Sequence, residues 1–174
     1  VLEKTVKKAR LYITGLGYYE AYLNGIRIGD SVLEPAWTNY SKRIFYSVYD
    51  VMPPLQEGAN CIGVTLGNGW FNPLPLRMWG RLNLREHLTI GRPCFIIQLE
   101  STYTDGTGKT VISDESWKVK DGPILRNNIY LGEVYDARRE VNDWNLCGID
   151  MRNWRSAAMA SEQNRRLFVR PLPP

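Results

Sequence analysis

Polar and apolar residues alternate along most of the chain with a period of two rather than 3.6. Ala9, Leu11 and Ile13 alternate with charged or polar neighbours until Gly15 and Gly17 interrupt the run. That period sends successive side chains to opposite faces of a strand. In "YEAYLNGIRIGD", Asn24-Gly25 is the preferred pair for a two-residue type I′ turn, whose central positions both need positive φ. Such a hairpin sets Leu23 against Ile26 and Ala21 against Ile28 on one face. It sends Tyr22 and Arg27 to the other.

Further strands are predicted at "IFYSVYDV" and "NCIGVTL", separated by "MPPLQEGA", whose prolines and glycine exclude a continuing strand. "CFIIQLESTY" and "TVIS" flank "TDGTGK", a hairpin with glycine-rich turn chemistry. "WKVK" and "NIYLGEVYDA" read as two more strands, and "ASEQNRRLF" as a turn or two of helix. Many short strands with glycine and proline between them predict an all-β fold: one antiparallel β-sandwich of jelly-roll size. The expected organisation is a tail or the end of a preceding module over 1–8, the sandwich over 9–160, and a linker over 161–174.

Composition changes this picture little. The 174 residues are 44% apolar, enough for one core, and the net charge is +4. Lys and Arg mix with Asp and Glu throughout, and the densest basic runs lie at the two ends, so a nucleic-acid partner is not expected. The apolar runs are too short to cross a bilayer as a helix, so no membrane partner is expected either. Cys61, Cys94 and Cys147 fit neither a paired disulfide framework nor a CxxC metal site and read as free thiols.

The segment from Gly67 to Pro93 breaks the alternation. It opens with "LGNGW" and carries three prolines, four glycines and two tryptophans, the pattern of a functional or interfacial loop. Catalysis finds little support here or elsewhere. His87 is the only histidine, no nucleophile elbow accompanies it, and there is no P-loop or dinucleotide fingerprint. Glu133 and Asp136 would need a bend between them to act as an acid/base couple, because a straight strand turns them to opposite faces.

Binding is better supported. Trp37, Trp70 and Trp79 sit in loop-like contexts beside Asn39, Tyr40, Asn68, Asn72, Arg77 and Arg81. Sugars are recognised by such mixtures, an aromatic face on the C–H side of the ring and amides or guanidinium groups on the hydroxyls. Each tryptophan taken singly reads more readily as a lid on the core. Asp30, Glu34, Asn39 and Asp50 are oxygen donors in turns, without EF-hand spacing.

"GLGYYEAYLNGIRIGD", "LEPAWTNYSKRIFYSVYDV", "GANCIGVTLGNGW" and "YLGEVYDARRE" resemble, in order, the N-terminal accessory domain of bacterial α-L-rhamnosidases. The resemblance spans roughly residues 9–145. It implies a galactose-binding-like sandwich beside further β-domains and an (α/α)6-barrel that carries the catalytic carboxylates, so this segment itself is expected to be non-catalytic. It also implies one of two roles. Some related domains bind rhamnose with calcium, and others are structural neighbours of the barrel. The carbohydrate-binding or interdomain candidates are Trp37, Asn39, Tyr40, Asn68, Trp70, Trp79, Glu133, Asp136 and Arg138, with no cofactor required. Asn39 stands where related sequences often have Asp, which removes a charge that calcium would use. A bacterial parent enzyme is compatible with a periplasmic or extracellular location.

Overall fold

The computed structural model describes residues 1–74, 77–78, 82–160 and 166–171. The first strands are β1 (Val6–Leu16), β2 (Tyr18–Leu23), β3 (Ile26–Arg27), β4 (Arg43–Asp50) and β5 (Ile62–Gly67). A small hairpin, β6 (Arg77–Met78) and β7 (Leu82–Asn83), precedes a one-turn helix, α1 (Leu84–His87). Then come β8 (Cys94–Tyr103), β9 (Gly108–Ile112), β10 (Lys118–Val119), β11 (Ile124–Asn128) and β12 (Gly132–Tyr135). The last two are β13 (Arg155–Ser156) and β14 (Arg166–Val169).

A five-stranded sheet in the order β14-β4-β1-β8-β9 faces a three-stranded sheet in the order β3-β2-β5. The two-residue period is what lets them pack. Ala9, Leu11 and Ile13 of β1 and Ile97 and Leu99 of β8 point inward, where they meet Tyr19, Ala21 and Leu23 of β2, with Val51 closing the cluster. Lys8, Arg10, Gln98 and Glu100 alternate with them and face solvent. Each buried Leu or Ile contributes about 1.5–3 kcal/mol, so this single layer supplies most of the cohesion.

The Asn24-Gly25 hairpin forms as the sequence dictates, with φ of 51° and 82°, and Leu23 pairs with Ile26 and Tyr22 with Arg27. Ile28 continues the pairing through its N–H to Ala21 O and packs on the core, whereas Ile26 stays exposed at the tip. The "TDGTGK" hairpin also forms, joining β8 to β9.

Three expectations differ from the structure. "NIYLGEVYDA" is not one strand. The Asn128 side chain accepts from the N–H groups of Tyr130 and Leu131, Gly132 takes a φ of 67°, and the chain doubles back from β11 into β12. Part of "ASEQNRRLF" is not helical, since Arg166 to Phe168 lie in β14; residues 161–165 lie outside the described residues. Within the stretch expected as a linker, β14 joins the sandwich by pairing with β4, and it does so in parallel, an exception to the expected antiparallel order. β1 likewise begins at Val6, inside the expected tail, and Leu2 bridges to Gly58.

Candidate functional site

"LGNGW" leaves β5 where two chains nearly touch. Gly17 has a φ of 103°, and a Cβ there would lie 2.4 Å from Gly67 O, so any side chain would force the strands apart. Gly69 fits against Gly17 in the same way, and the chain then turns to lay Trp70 over the end of the sandwich. There Trp70 packs on a second apolar cluster of Leu16, Tyr40, Ile44 and Phe71. It also meets the exposed Trp37 ring at 5.1 Å and the exposed Tyr130 ring, edge-on, at 5.8 Å. Trp70 is therefore both a lid on the core and the centre of a surface aromatic row.

The flanking amides hold this row in place. Asn68 donates its backbone N–H to Asn127 Oδ1 at 2.8 Å and its side-chain amide to Asn127 O at 3.2 Å. Asn72 donates to Asn68 Oδ1 at 2.8 Å, and Arg85 donates to Asn72 Oδ1 at 3.0 Å and to Pro73 O at 2.6 Å. This ladder ties the irregular segment to β11 and to α1. Asn68 and Asn72, candidate sugar ligands by sequence, are consumed within the protein.

Trp37, Asn39, Tyr40 and Trp70 line one cleft of about 340 Å³ with Ser41, Glu86 and His87. Asn39 Oδ1 accepts from both the N–H and the hydroxyl of Ser41, so it caps its own turn. Tyr40 is buried, its ring edge-on to Phe71, and burial pushes its phenol up. Burial also raises the Tyr18 phenol, against the pull of the nearby Trp70 indole. Glu86 accepts from the Asn83 amide. Among the described residues, no three His, Cys, Asp or Glu side chains converge on a point.

The other candidates lie apart from this cleft. Glu133 is exposed on β12 opposite Asn127. Asp136 follows the strand and caps a short 3-10 turn, accepting from the Arg138 backbone and, bidentately at 2.8 Å, from its guanidinium. That hydrogen-bonded guanidinium holds the Asp136 carboxyl below the usual carboxylate range. Arg138 belongs to a second cleft, of about 380 Å³, with Lys120, Asp121, Arg139, Glu140 and Arg155. Trp79 and Arg81 lie outside the described residues.

Sequence reasoning missed Tyr130, the third ring of the row. Its signal was the Asn128–Gly132 turn, which carries Ile129, Tyr130 and Leu131 outward rather than into a strand. Tyr130 is 51% exposed, Leu131 62%, and Leu125, Val134, Tyr135 and Trp37 are exposed as well. The exposed Trp37 and Tyr130 rings both touch Trp70, and Leu131 adjoins Tyr130 in the turn, a grouping of exposed apolar side chains that marks an interaction face.

A family described as the alpha-L-rhamnosidase N-terminal domain matches residues 4–174. The chain is 39% identical over 172 residues to an alpha-L-rhamnosidase of Formosa agariphila, covering 99% of this chain and 18% of that protein. The solved alpha-L-rhamnosidase from Dictyoglumus thermophilum superposes with a TM-score of 0.86 at 42% identity, over 99% of this chain and 18% of that one. The Streptomyces avermitilis alpha-L-rhamnosidase, solved in complex with L-rhamnose, superposes with a TM-score of 0.84 at 39% identity, over 94% of this chain and 15% of that one. The chain thus spans less than a fifth of these relatives' length.

Proposed function

Because this chain belongs to the α-L-rhamnosidase N-terminal domain family, we propose that it supports the catalytic domain of a parent glycoside hydrolase acting on terminal α-L-rhamnosides. In this reading it is a non-catalytic, galactose-binding-like module that docks on a neighbouring domain of the same enzyme. One observation carries the proposal: the aromatic row of Trp37, Trp70 and Tyr130 continues into the exposed apolar hairpin of β11 and β12. The polar ladder behind the row makes it rigid, and a rigid aromatic surface suits a permanent interface. No cofactor is required for this role.

The second reading is a calcium-assisted rhamnose-binding module. The half-exposed face of Trp37 over the Asn39–Ser41 cleft favours it, as does the L-rhamnose bound in the crystals of the Streptomyces relative. The donor chemistry argues against it. Asn39 Oδ1 is occupied by two Ser41 donors, Tyr40 is buried, and Glu86 is the one carboxylate among the described residues that line the cleft.

Calorimetric titration of this chain with L-rhamnose, with and without calcium, separates the two. Docking predicts no heat at millimolar ligand, and replacing Tyr130 and Leu131 by alanine in the full-length enzyme should lower its stability. A calcium-dependent affinity at millimolar concentration or tighter establishes the second reading.

A further inference from the structure

The loop before Gly148 lies across the outer face of the three-stranded sheet, and Gly63 is the reason it can. Gly63 pairs with Tyr22 on that face, and a Cβ at Gly63 would meet Trp144 Cζ3 at 2.6 Å and Asn145 Cβ at 2.9 Å. Trp144 fills that place and packs edge-on against Tyr22, with ring centres 5.4 Å apart. The loop then reaches the hairpin turn. Gly25 donates its N–H to Asn145 O at 3.2 Å, and Leu146 Cδ2 lies 2.9 Å from where a Gly25 Cβ would be.

The same turn also grips Cys61. Asn24 donates its N–H to Cys61 O at 2.9 Å, and Cys61 donates its own N–H to Asn24 Oδ1 at 2.9 Å. Cys61 and the residue next to Leu146, Cys147, are therefore both held at one turn. Burial first, and the neighbouring Cys147 thiol second, push the Cys61 thiol up. Cys61 is half-buried and Cys147 is exposed.

We propose that Cys61 and Cys147 are a redox modification site, forming a disulfide that staples the Trp144–Cys147 loop to the start of β5. The oxidant is a low-molecular-weight disulfide such as oxidised glutathione. The exposed Cys147 thiolate attacks one sulfur of the oxidant, a mixed disulfide forms, and the first small thiolate leaves. Cys61 then gives its proton to solvent and attacks Cys147 Sγ. The Cys61–Cys147 bond forms, the mixed disulfide breaks, and the second small thiolate departs. Two protein thiols are oxidised and one small disulfide is reduced to two thiols. Because the Cys61 thiol is raised, the second step speeds up as pH rises above neutrality.

The test is mass spectrometry of the whole chain after exposure to oxidised glutathione, followed by alkylation and peptide mapping. The expected result is one Cys61–Cys147 cross-linked peptide pair, no cross-link to Cys94, and a melting temperature raised by about 5 °C or more over the reduced form. In Cys61→Ser the glutathione should remain on Cys147, and Cys94→Ser should cross-link as the wild type does. Separate, persistent adducts on Cys61 and Cys147 would overturn the proposal, as would a link through Cys94. A link that leaves the melting temperature unchanged or lower would overturn the staple.

Discussion

Arg170 and Glu34 form the one ion pair in which both partners are largely withdrawn from solvent, among the pairs of described residues, with side-chain exposures of 17% and 5%. Arg170 follows β14, whose Leu167, Phe168 and Val169 are all exposed, so the strand itself buries little to hold it in place. Its anchorage is polar. The Arg170 N–H donates to Tyr46 O at 2.9 Å, and its guanidinium reaches Glu34 and the Ser31 hydroxyl. Glu34 accepts in addition from Ser47 Oγ at 3.1 Å. Arg170→Met keeps most of the stem but leaves the Glu34 carboxylate, among the described residues, with the Ser47 hydroxyl alone. Stranding a buried charge costs about 3–5 kcal/mol, and the residual exposure of Arg170 puts the expected loss near the lower end, about 3 kcal/mol. For a chain of this size that is a fall of about 6–12 °C in melting temperature. Glu34→Gln in the Arg170→Met background should recover part of the loss, because the stranded charge is gone. Urea unfolding of the two single variants and the double variant gives the coupling, expected at about 2 kcal/mol. A coupling below about 0.5 kcal/mol, with Arg170→Met as stable as the wild type, would refute the view that this pair anchors the C-terminal strand.

Gly25→Val forces a β-branched residue to a φ of 82° against Leu146 and should cost about 1–3 kcal/mol, read as a fall in urea midpoint. Among the described residues, the buried Tyr19 and Tyr40 hydroxyls make no well-formed hydrogen bond, so Tyr40→Phe should change stability by less than about 0.5 kcal/mol at neutral pH. Burial raises both phenols above the ordinary value of 10.0. Their contribution is therefore complete below about pH 10 and is lost as pH climbs toward the raised folded values, where the unfolded chain alone ionises. Tyr19→Phe with Tyr40→Phe should flatten that alkaline decline, and an unchanged slope between pH 9 and 12 would count against it. The chain on its own should not hydrolyse an aryl α-L-rhamnoside above buffer background in a colorimetric assay.

The period-two pattern was enough to read the sandwich, because a strand with one buried face must alternate, and β1 does so from Lys8 to Ile13 and β8 from Ile96 to Tyr103. The Asn24-Gly25 turn was legible for a local reason, since few other pairs accept two positive φ values. The parallel docking of β14 was not legible. Nothing local fixes it, and the clasp joins residues 136 positions apart through one buried carboxylate. The β11–β12 turn was misread because "NIYLGEVY" has strand composition throughout, while the bend depends on a single Asn128 side chain. At the candidate site, residue types could nominate Trp37, Asn39, Tyr40 and Trp70 as neighbours of a cleft. They could not show that Asn39 and Asn68 spend their hydrogen bonds internally, since that depends on contacts with Ser41 and Asn127. Glu133, Asp136 and Arg138 lie close in sequence, but the change from strand to 3-10 turn at Asp136 sets Glu133 apart from the Asp136–Arg138 ion pair.

Hydrogen exchange across the Asn128–Tyr135 segment, compared between this chain alone and the full-length enzyme, tests the docking role most directly. In the isolated chain the amides at the exposed tip, Ile129 and Gly132, should exchange rapidly, because no backbone acceptor outside the β11–β12 hairpin covers them among the described residues. If the aromatic row and its hairpin are buried against a neighbouring domain, those amides should be slowed at least tenfold in the full-length enzyme, together with protection around Trp37 and Trp70. Equal exchange rates in the two samples would contradict the docking role.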